Sequence, residues 1–333
     1  MTSPTVLFLG GTGIISSACT ERALALGHQV CVLNRGTSTT RQLPAGAQSL
    51  VADVSDPAAV REALGDRSFD VVADFRAFTP ADVQSRLDLF DGRMGQYVFI
   101  SSASAYQTPP GRLPVRESTP LRNPYWQYSR DKIACEDLLV TAYRERGLPM
   151  TIVRPSHTYD KTLLPFDGGW TVVDRMRRGA EVVVHGDGTS LWTLTHHADF
   201  AYAFVGLFSQ PAAIGNSFHI TSDEWLAWNE IFETVAAAAG VEPKLVHVPS
   251  DAIAAVDPEW GAALLGDKAH SMIFDNSAVK RLVPDYTARI PFSQGAAEIM
   301  AWYDEDPARQ QVDHQMDATM DTLVAAHRVG VSR

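Results

Sequence analysis

A short apolar run, Val6–Leu9, stops at Gly10-Gly11-Thr12-Gly13 and gives way to a helix-like stretch from Ser17 to Leu26. No other stretch limits the fold as strongly. Glycines stand at the first and second places of a G-x-x-G-x-x-G pattern. A tight strand-to-helix turn needs glycine where φ is positive and where backbone must come close to a pyrophosphate. The helix N-terminus that follows offers unpaired N–H groups to an anion. Ser16 takes the third place, where helix-on-strand packing favours glycine, and is small enough to be accommodated. Such a loop is weak evidence in isolation, but its place at the first strand-to-helix junction adds weight.

The rest of the first half keeps the same rhythm. Strand-like Val30–Leu33, Ser49–Ala52, Asp70–Asp74, Tyr97–Ser101 and Met150–Val153 alternate with helical Pro57–Leu64 and Ala81–Phe90. Asp56 is placed to cap the first of these helices. A long helix from about Tyr125 to Arg146 follows a proline-rich loop. Alternation at this pitch implies an α/β fold: a doubly wound, Rossmann-type parallel sheet covered on both faces. Ligands of such sheets bind at the carboxyl ends of the strands. Beyond Arg154 the pattern loosens. Val172–Arg178, Asp199–Phe208 and Ile231–Ala239 read as helices, Phe218–Ile220 as a strand, and the chain from Asp275 onward as mainly helical. A smaller C-terminal lobe accounts for these segments.

Composition narrows the partners. A chain of 333 residues, 45% hydrophobic and 20% charged, is globular and holds one or two domains. Its formal charge of −11 argues against a nucleic-acid partner, which needs a basic face. No apolar run approaches membrane-spanning length, and the N-terminal run is too short for a signal peptide, so a cytoplasmic location without membrane attachment is expected. Cys19, Cys31 and Cys135 lack metal or redox spacing. Adjacent side chains such as His196-His197 point apart in regular structure, so no metal is expected.

Two further groups bear on chemistry. Asn34 and Arg35 end the second strand, where an acid would bind the ribose 2′-hydroxyl of NAD. Asn34 removes repulsion toward a 2′-phosphate and Arg35 could pair with one, which leaves NAD against NADP open. Asp53 could accept a hydrogen bond from an adenine amino group or simply be a loop carboxylate before a helix. Tyr128 and Lys132 stand four apart and share one helix face. An ammonium beside a phenol favours the phenolate, so the tyrosine would serve as proton acceptor or donor near neutral pH. The strand ending in Ser101-Ser102-Ala103-Ser104 brings hydroxyls to the mouth of the sheet.

Taken together, Gly10–Ser16, Asp53-Val54, Phe99–Ser102, Tyr128–Lys132 with Glu136, Val153-Arg154-Pro155 leading to Tyr159, Gly186-Asp187-Gly188 with Asp199, and Asp275–Leu282 with Trp302 span nearly the whole chain. In these segments the chain resembles an extended short-chain dehydrogenase/reductase of the NAD-dependent epimerase/dehydratase family, in an atypical branch. The resemblance implies Tyr128 as acid/base, Lys132 as its partner and a ribose ligand, and Ser102 as helper hydroxyl. It implies a cofactor, NAD or NADP, along Gly10, Thr12, Gly13, Ile14, Ile15, Asn34, Arg35, Asp53, Val54, Phe75, Arg76, Ala77, Ser101, Tyr128, Lys132, Pro155 and Ser156. A substrate would meet Ser104, His157, Trp192 and His196. The expected division is 1–156 plus about 196–221 for the cofactor domain, and about 157–195 with 222–333 for the substrate lobe. A homodimer through the tyrosine-bearing helix is a further implication.

Three departures bear on the substrate. Ala103-Ser104 stand where the family's sugar-nucleotide 4,6-dehydratases carry Asp-Glu. Trp192 replaces an arginine that grips a substrate diphosphate, and no arginine occurs between 179 and 280. An indole stacks on a base or sugar but cannot neutralise phosphate. His157 replaces an asparagine and could shuttle protons. Arg175, Arg177 and Arg178 read as a solvated helix face or, less favourably, as a phosphate site. The expected function is a redox-neutral epimerase or dehydratase acting on a nucleoside or lightly phosphorylated sugar. An NADPH-dependent carbonyl reductase and a non-catalytic, dinucleotide-sensing or RNA-associated relative are the alternatives.

Overall fold

A computed structural model describes residues 3–37 and 41–331, the side chains of 328–331 excepted. Six strands open the fold: β1 (Thr5–Leu9), β2 (Gln29–Asn34), β3 (Gln48–Val51), β4 (Val71–Asp74), β5 (Tyr97–Ile100) and β6 (Met150–Pro155). With Ser217–Ile220 they form one seven-stranded sheet in the order Ser217–Ile220, β6, β5, β4, β1, β2, β3, and every pairing is parallel. The chain winds outward from β1 to β3, then returns to β4 on the other side of β1. That reversal opens a crevice at the carboxyl ends of β1 and β4, the site class that doubly wound sheets provide.

Period-two alternation sorts β1 between two hydrophobic layers. Val6 and Phe8 join a core with Phe200 and Phe204, whereas Leu7 and Leu9 join one with Val83, Leu87 and Leu139. The first layer carries α1 (Ile14–Ala25) and helix His197–Gly206; the second carries α2 (Pro57–Leu64), α3 (Pro80–Phe90) and α4 (Gln127–Arg146). Local chemistry starts these helices. Asp56 accepts from the amides of Ala58 and Ala59, with Pro57 in the first turn, as its sequence position implies. Thr79 and Asp82 cap α3 reciprocally. Gly147, with φ 69°, ends α4 in the left-handed conformation.

A third core, around Trp170, Trp192, Trp228, Phe232 and Phe292, belongs mostly to the C-terminal half. There the structure adds what periodicity missed. Glu181–His185 and Lys244–Val248 form a parallel two-stranded sheet, and Leu264–Lys268 is a single π-helical turn. From Ser277 on, helices do dominate. Arg175 is neither solvated nor open to phosphate. It is 2% exposed and forms ion pairs with Asp317 and Asp321, while Arg177 pairs with Asp304 and Arg178 with Asp174 and Asp317. No helix among the described residues is long and apolar enough to cross a membrane.

Candidate functional site

Two cavities flank the carboxyl end of the sheet. The larger, about 730 Å³, is lined by Gly10, Thr12, Gly13, Ser16, Asn34, Arg35, Asp53, Val54, Phe75 and Arg76, among others. Gly10 has φ 84°, and a Cβ there would come within 2.7 Å of the Arg76 side chain. Both facts require glycine. No side chain caps α1, so first-turn amides stay open at its N-terminus. Ser16 has a positive role in this loop: its hydroxyl accepts the Gly13 N–H at 2.8 Å. Asp53 is fully exposed, and Ser55 holds its carboxyl below the usual range by hydrogen bonding. Asn34 ends β2 and its side chain accepts from the Gly36 amide at 2.9 Å.

A glycine cradle, an uncapped helix end and flanking arginines at 35 and 76 fit a dinucleotide with its pyrophosphate at the turn. Not every expected contact lines this crevice. Ile14 and Ile15 lie at the helix start beside it, with Ile15 packed into a core, and Pro155 and Ser156 line the second cavity. Ala77 is fully buried and offers its carbonyl to Lys132. Ser101 is turned into the protein, where its hydroxyl meets Glu136 at 2.5 Å.

The second cavity, about 180 Å³, is lined by Ser102, Ser104, Trp126, Tyr128, His157, Trp192, Asp267 and Phe274, with four smaller contributions. Ser102 shares a hydrogen bond with Ser104 at 2.9 Å, and Ser104 accepts from Ser129 at 2.7 Å. Sequence segments far apart thus meet here, including Ser102, Ser104, Tyr128, His157 and Trp192, as expected. His196 does not join them. Its Nδ1 caps helix His197–Gly206 and its Nε2 lies 3.2 Å from Glu298.

The electrostatics overturn two expectations. Burial pushes the Tyr128 phenol up to about 12, opposed by a hydrogen bond with Ser102 and reinforced by the charge of Asp267. Lys132 does not depress it. Its ammonium donates instead to the Ala77 and Ile100 carbonyls at 2.7 and 2.8 Å, and burial lowers it to about 8. Burial also drives the His157 imidazole down to about 3, with the Lys268 charge assisting. Its Nε2 is buried without a partner. The neutral ring offers this unpartnered nitrogen to a ligand as a hydrogen-bonding group. The Trp192 Nε1–H is likewise buried and unpartnered.

Asp267, which sequence reasoning passed over, supplies the one charged side chain of this lining. Burial raises its carboxyl to about 7, against the neighbouring Lys268 and with the help of Asp167. Beneath the site, Arg154 forms a buried ion pair with Glu136 at 2.6 Å and donates to the Tyr106 hydroxyl at 3.1 Å. Tyr106 in turn meets His219 Nδ1 at 3.0 Å. No cluster of three His, Cys, Asp or Glu among the described residues could hold a metal.

The NAD dependent epimerase/dehydratase family model matches residues 6–221. The chain is 27% identical over 255 residues to the chloroplast stem-loop binding protein of 41 kDa b of Arabidopsis thaliana, covering 73% of this chain and 65% of that protein. It is 28% identical over 166 residues to a UDP-glucose 4-epimerase of Lactobacillus helveticus, covering 45% of this chain and 50% of that enzyme. The chain therefore spans half to about two thirds of the length of these curated relatives. Among solved structures it resembles the dTDP-glucose 4,6-dehydratase of Bacillus anthracis in complex with NAD. The TM-score is 0.73 at 18% identity, covering 92% of this chain and 98% of that one. At that identity the likeness is one of fold.

Proposed function

Because the chain belongs to the NAD dependent epimerase/dehydratase family, we propose that it is a redox-neutral epimerase or dehydratase of a sugar that presents no diphosphate to the reacting pocket. One observation carries this reading. Among the described residues, the cavity around Tyr128 is lined by no arginine or lysine, and its only charged lining residue is an acid, Asp267. A diphosphate would leave its charge unneutralised there. A neutral polyol suits the same surface: hydroxyls for the unpartnered His157 Nε2 and Trp192 Nε1–H, and a sugar face for the indole.

When bound, the dinucleotide supplies a nicotinamide that accepts and returns a hydride. The chain's own residues do the rest. Ser102 and Tyr128 hold one substrate hydroxyl, and Tyr128 exchanges the proton of that hydroxyl as its C–H is oxidised. Lys132, anchored on two carbonyls, retains one N–H for a ribose hydroxyl. Trp126, Trp192 and Phe274 line the pocket beside these groups and confine a substrate to about 180 Å³.

The test is a panel of nucleosides, sugar monophosphates and nucleoside diphosphate sugars, read for isomerised or dehydrated product without net change in NAD(P)H. Efficient turnover limited to the diphosphate sugars sinks the proposal. Asn34 and Arg35 favour a second reading, an NADPH-dependent carbonyl reductase, since both line the crevice where a 2′-phosphate would lie. Net NADPH oxidation with a carbonyl substrate selects it. RNA association, suggested by the chloroplast relative's name, is disfavoured by the net charge of −11. An assembly through α4 and the division into residues 1–156 with about 196–221 and a substrate lobe belong to the same proposal.

A further inference from the structure

We propose that Asp267 is the second acid/base of this pocket, taking the proton from the carbon next to a substrate carbonyl held by Ser102 and Tyr128. The inference rests on the functional reading above and gives the role expected of His157 to a carboxylate that lines the same pocket.

Geometry supports it first. Asp267 sits on the π-helical turn Leu264–Lys268, a local irregularity of the kind that recurs at functional sites. Both neighbouring carbonyls are pinned. That of Gly266 accepts from Asn123 Nδ2 at 2.6 Å, and that of Lys268 accepts from Ser190 at 3.1 Å, with His185 Nε2 also 3.1 Å away. The same Asn123 amide donates to the Ser104 carbonyl at 2.8 Å. Its Oδ1 accepts from the Tyr125 and Trp126 amides at 3.1 Å, just before α4. One side chain therefore registers the acidic turn against both the serine loop and the tyrosine helix. The fit is close: a Cβ on residue 266 would lie 2.7 Å from Trp126 Cβ. No hydrogen bond to the Asp267 carboxyl occurs among the described residues, so both oxygens remain available to a ligand.

The surroundings suit proton transfer. Around Asp267 stand Lys268 and Asp167, with Tyr128 and His157 on the same pocket lining; Lys268 opposes the rise of its carboxyl and Asp167 reinforces it, while Tyr128 and His157 are uncharged near pH 7. Lys268 lies 3.6 Å from Asp167, which absorbs part of its charge. A carboxyl near 7 matches the operating pH that general acid–base work requires. In the step itself, the substrate C–H breaks and its proton goes to the Asp267 carboxylate. The electron pair forms the C=C bond of an enolate, whose oxygen accepts hydrogen bonds from Tyr128 and Ser102. For an α-hydroxy ketone the enolate is an enediolate. Delivery of the proton from Asp267 to the former carbonyl carbon, with the neighbouring hydroxyl losing its proton as it becomes the new carbonyl, gives isomerisation, whereas its return to the original carbon on the same face restores the substrate. Transfer to a β-hydroxyl, which leaves as water, gives dehydration, and either route regenerates the carboxylate.

A small ketone tests this without knowledge of the natural substrate. The full chain with added NAD would be incubated with 1,3-dihydroxyacetone in D2O, and loss of the α-proton signal followed by NMR. Wild type is expected to exchange faster than buffer, with a rate that rises as pH passes through about 7. Asp267→Asn should cut that exchange by on the order of 10²–10⁴ and abolish its pH dependence. Asp267→Glu should restore part of it, and it carries the test if the asparagine variant melts early. His157→Gln should lose less than about tenfold, one hydrogen bond's worth. Exchange by Asp267→Asn within twofold of wild type, exchange abolished only in His157→Gln, or wild type no faster than buffer each overturns the assignment. The functional reading fails separately: Asp267-dependent exchange in a protein that never reduces NAD with any polyol removes redox neutrality and leaves the carboxylate's role standing.

Discussion

The two cavities at the mouth of the sheet are made in opposite ways. The dinucleotide crevice is large, with arginines at 35, 76 and 86 and a glycine turn at its base. The pocket around Tyr128 is a quarter of its size, rich in aromatic side chains and, among the described residues, lined by one carboxylate and no arginine or lysine. The first is built for a large anion and tolerates solvent. In the second, burial pushes a phenol up, an imidazole down and a carboxyl to about 7. Anion binding and proton transfer call for different dielectric surroundings, and here about one helix start separates them.

The contrast can be broken at its strongest point first. Tyr128→Phe should lower turnover of the best polyol in the panel by about 10²–10⁴ while leaving dinucleotide affinity, measured by calorimetric titration, nearly unchanged. A comparable loss of affinity would mean the two cavities do not divide their labour. Next in size is the shared floor. Glu136→Ala strands the Arg154 guanidinium, whose side chain is 6% exposed, and should cost about 3–5 kcal/mol in urea unfolding. A loss under about 1 kcal/mol would show that water reaches that pair. Gly10→Ala acts on the crevice alone. Positive φ and the Arg76 contact should weaken dinucleotide binding roughly tenfold, from about 1–2 kcal/mol of strain, with the dihydroxyacetone exchange unchanged when NAD is saturating.

The smallest expected effect concerns acid. The unfolded chain protonates His157 and His185 below about 6.5, whereas the folded protein resists until about 3 and about 4. The unfolded state therefore binds more protons in that window, and stability falls as pH drops through it. Each ring should contribute roughly 1 kcal/mol of loss over the first unit below 6.5. His157→Gln should flatten that slope in melts taken between pH 7 and 5.5. An unaltered slope would place the imidazole in a wetter setting than the one described.

Legibility followed the same boundary. The crevice was readable because its parts are consecutive: Gly10–Ser16 is one turn, Asn34-Arg35 one strand end, and glycine needs announce themselves in composition. Helix spacing also placed Tyr128 and Lys132 on one face. It could not reveal that the ammonium turns to the Ala77 and Ile100 carbonyls, because those partners lie 55 and 32 residues away. Asp267 went unnoticed for a related reason. Gly266-Asp267-Lys268 carries no motif or spacing that marks a site, and the π turn that places the carboxylate on the pocket lining has no periodic signature. The missed strands Glu181–His185 and Lys244–Val248 did carry a signal, their valine-rich runs. His196 shows the converse: a residue beside the expected segment was consumed by a helix end.

Asn123 has a consequence for anyone redesigning this pocket. Because a single carboxamide sets the spacing of three backbone segments, it works as a gauge block between Tyr128 and Asp267. Enlarging the cavity by trimming Trp192 or Phe274 leaves that spacing intact, so new substrates could be admitted without retiming the chemistry. Altering residue 123 would do the reverse, keeping the cavity walls while letting phenol and carboxylate drift out of step.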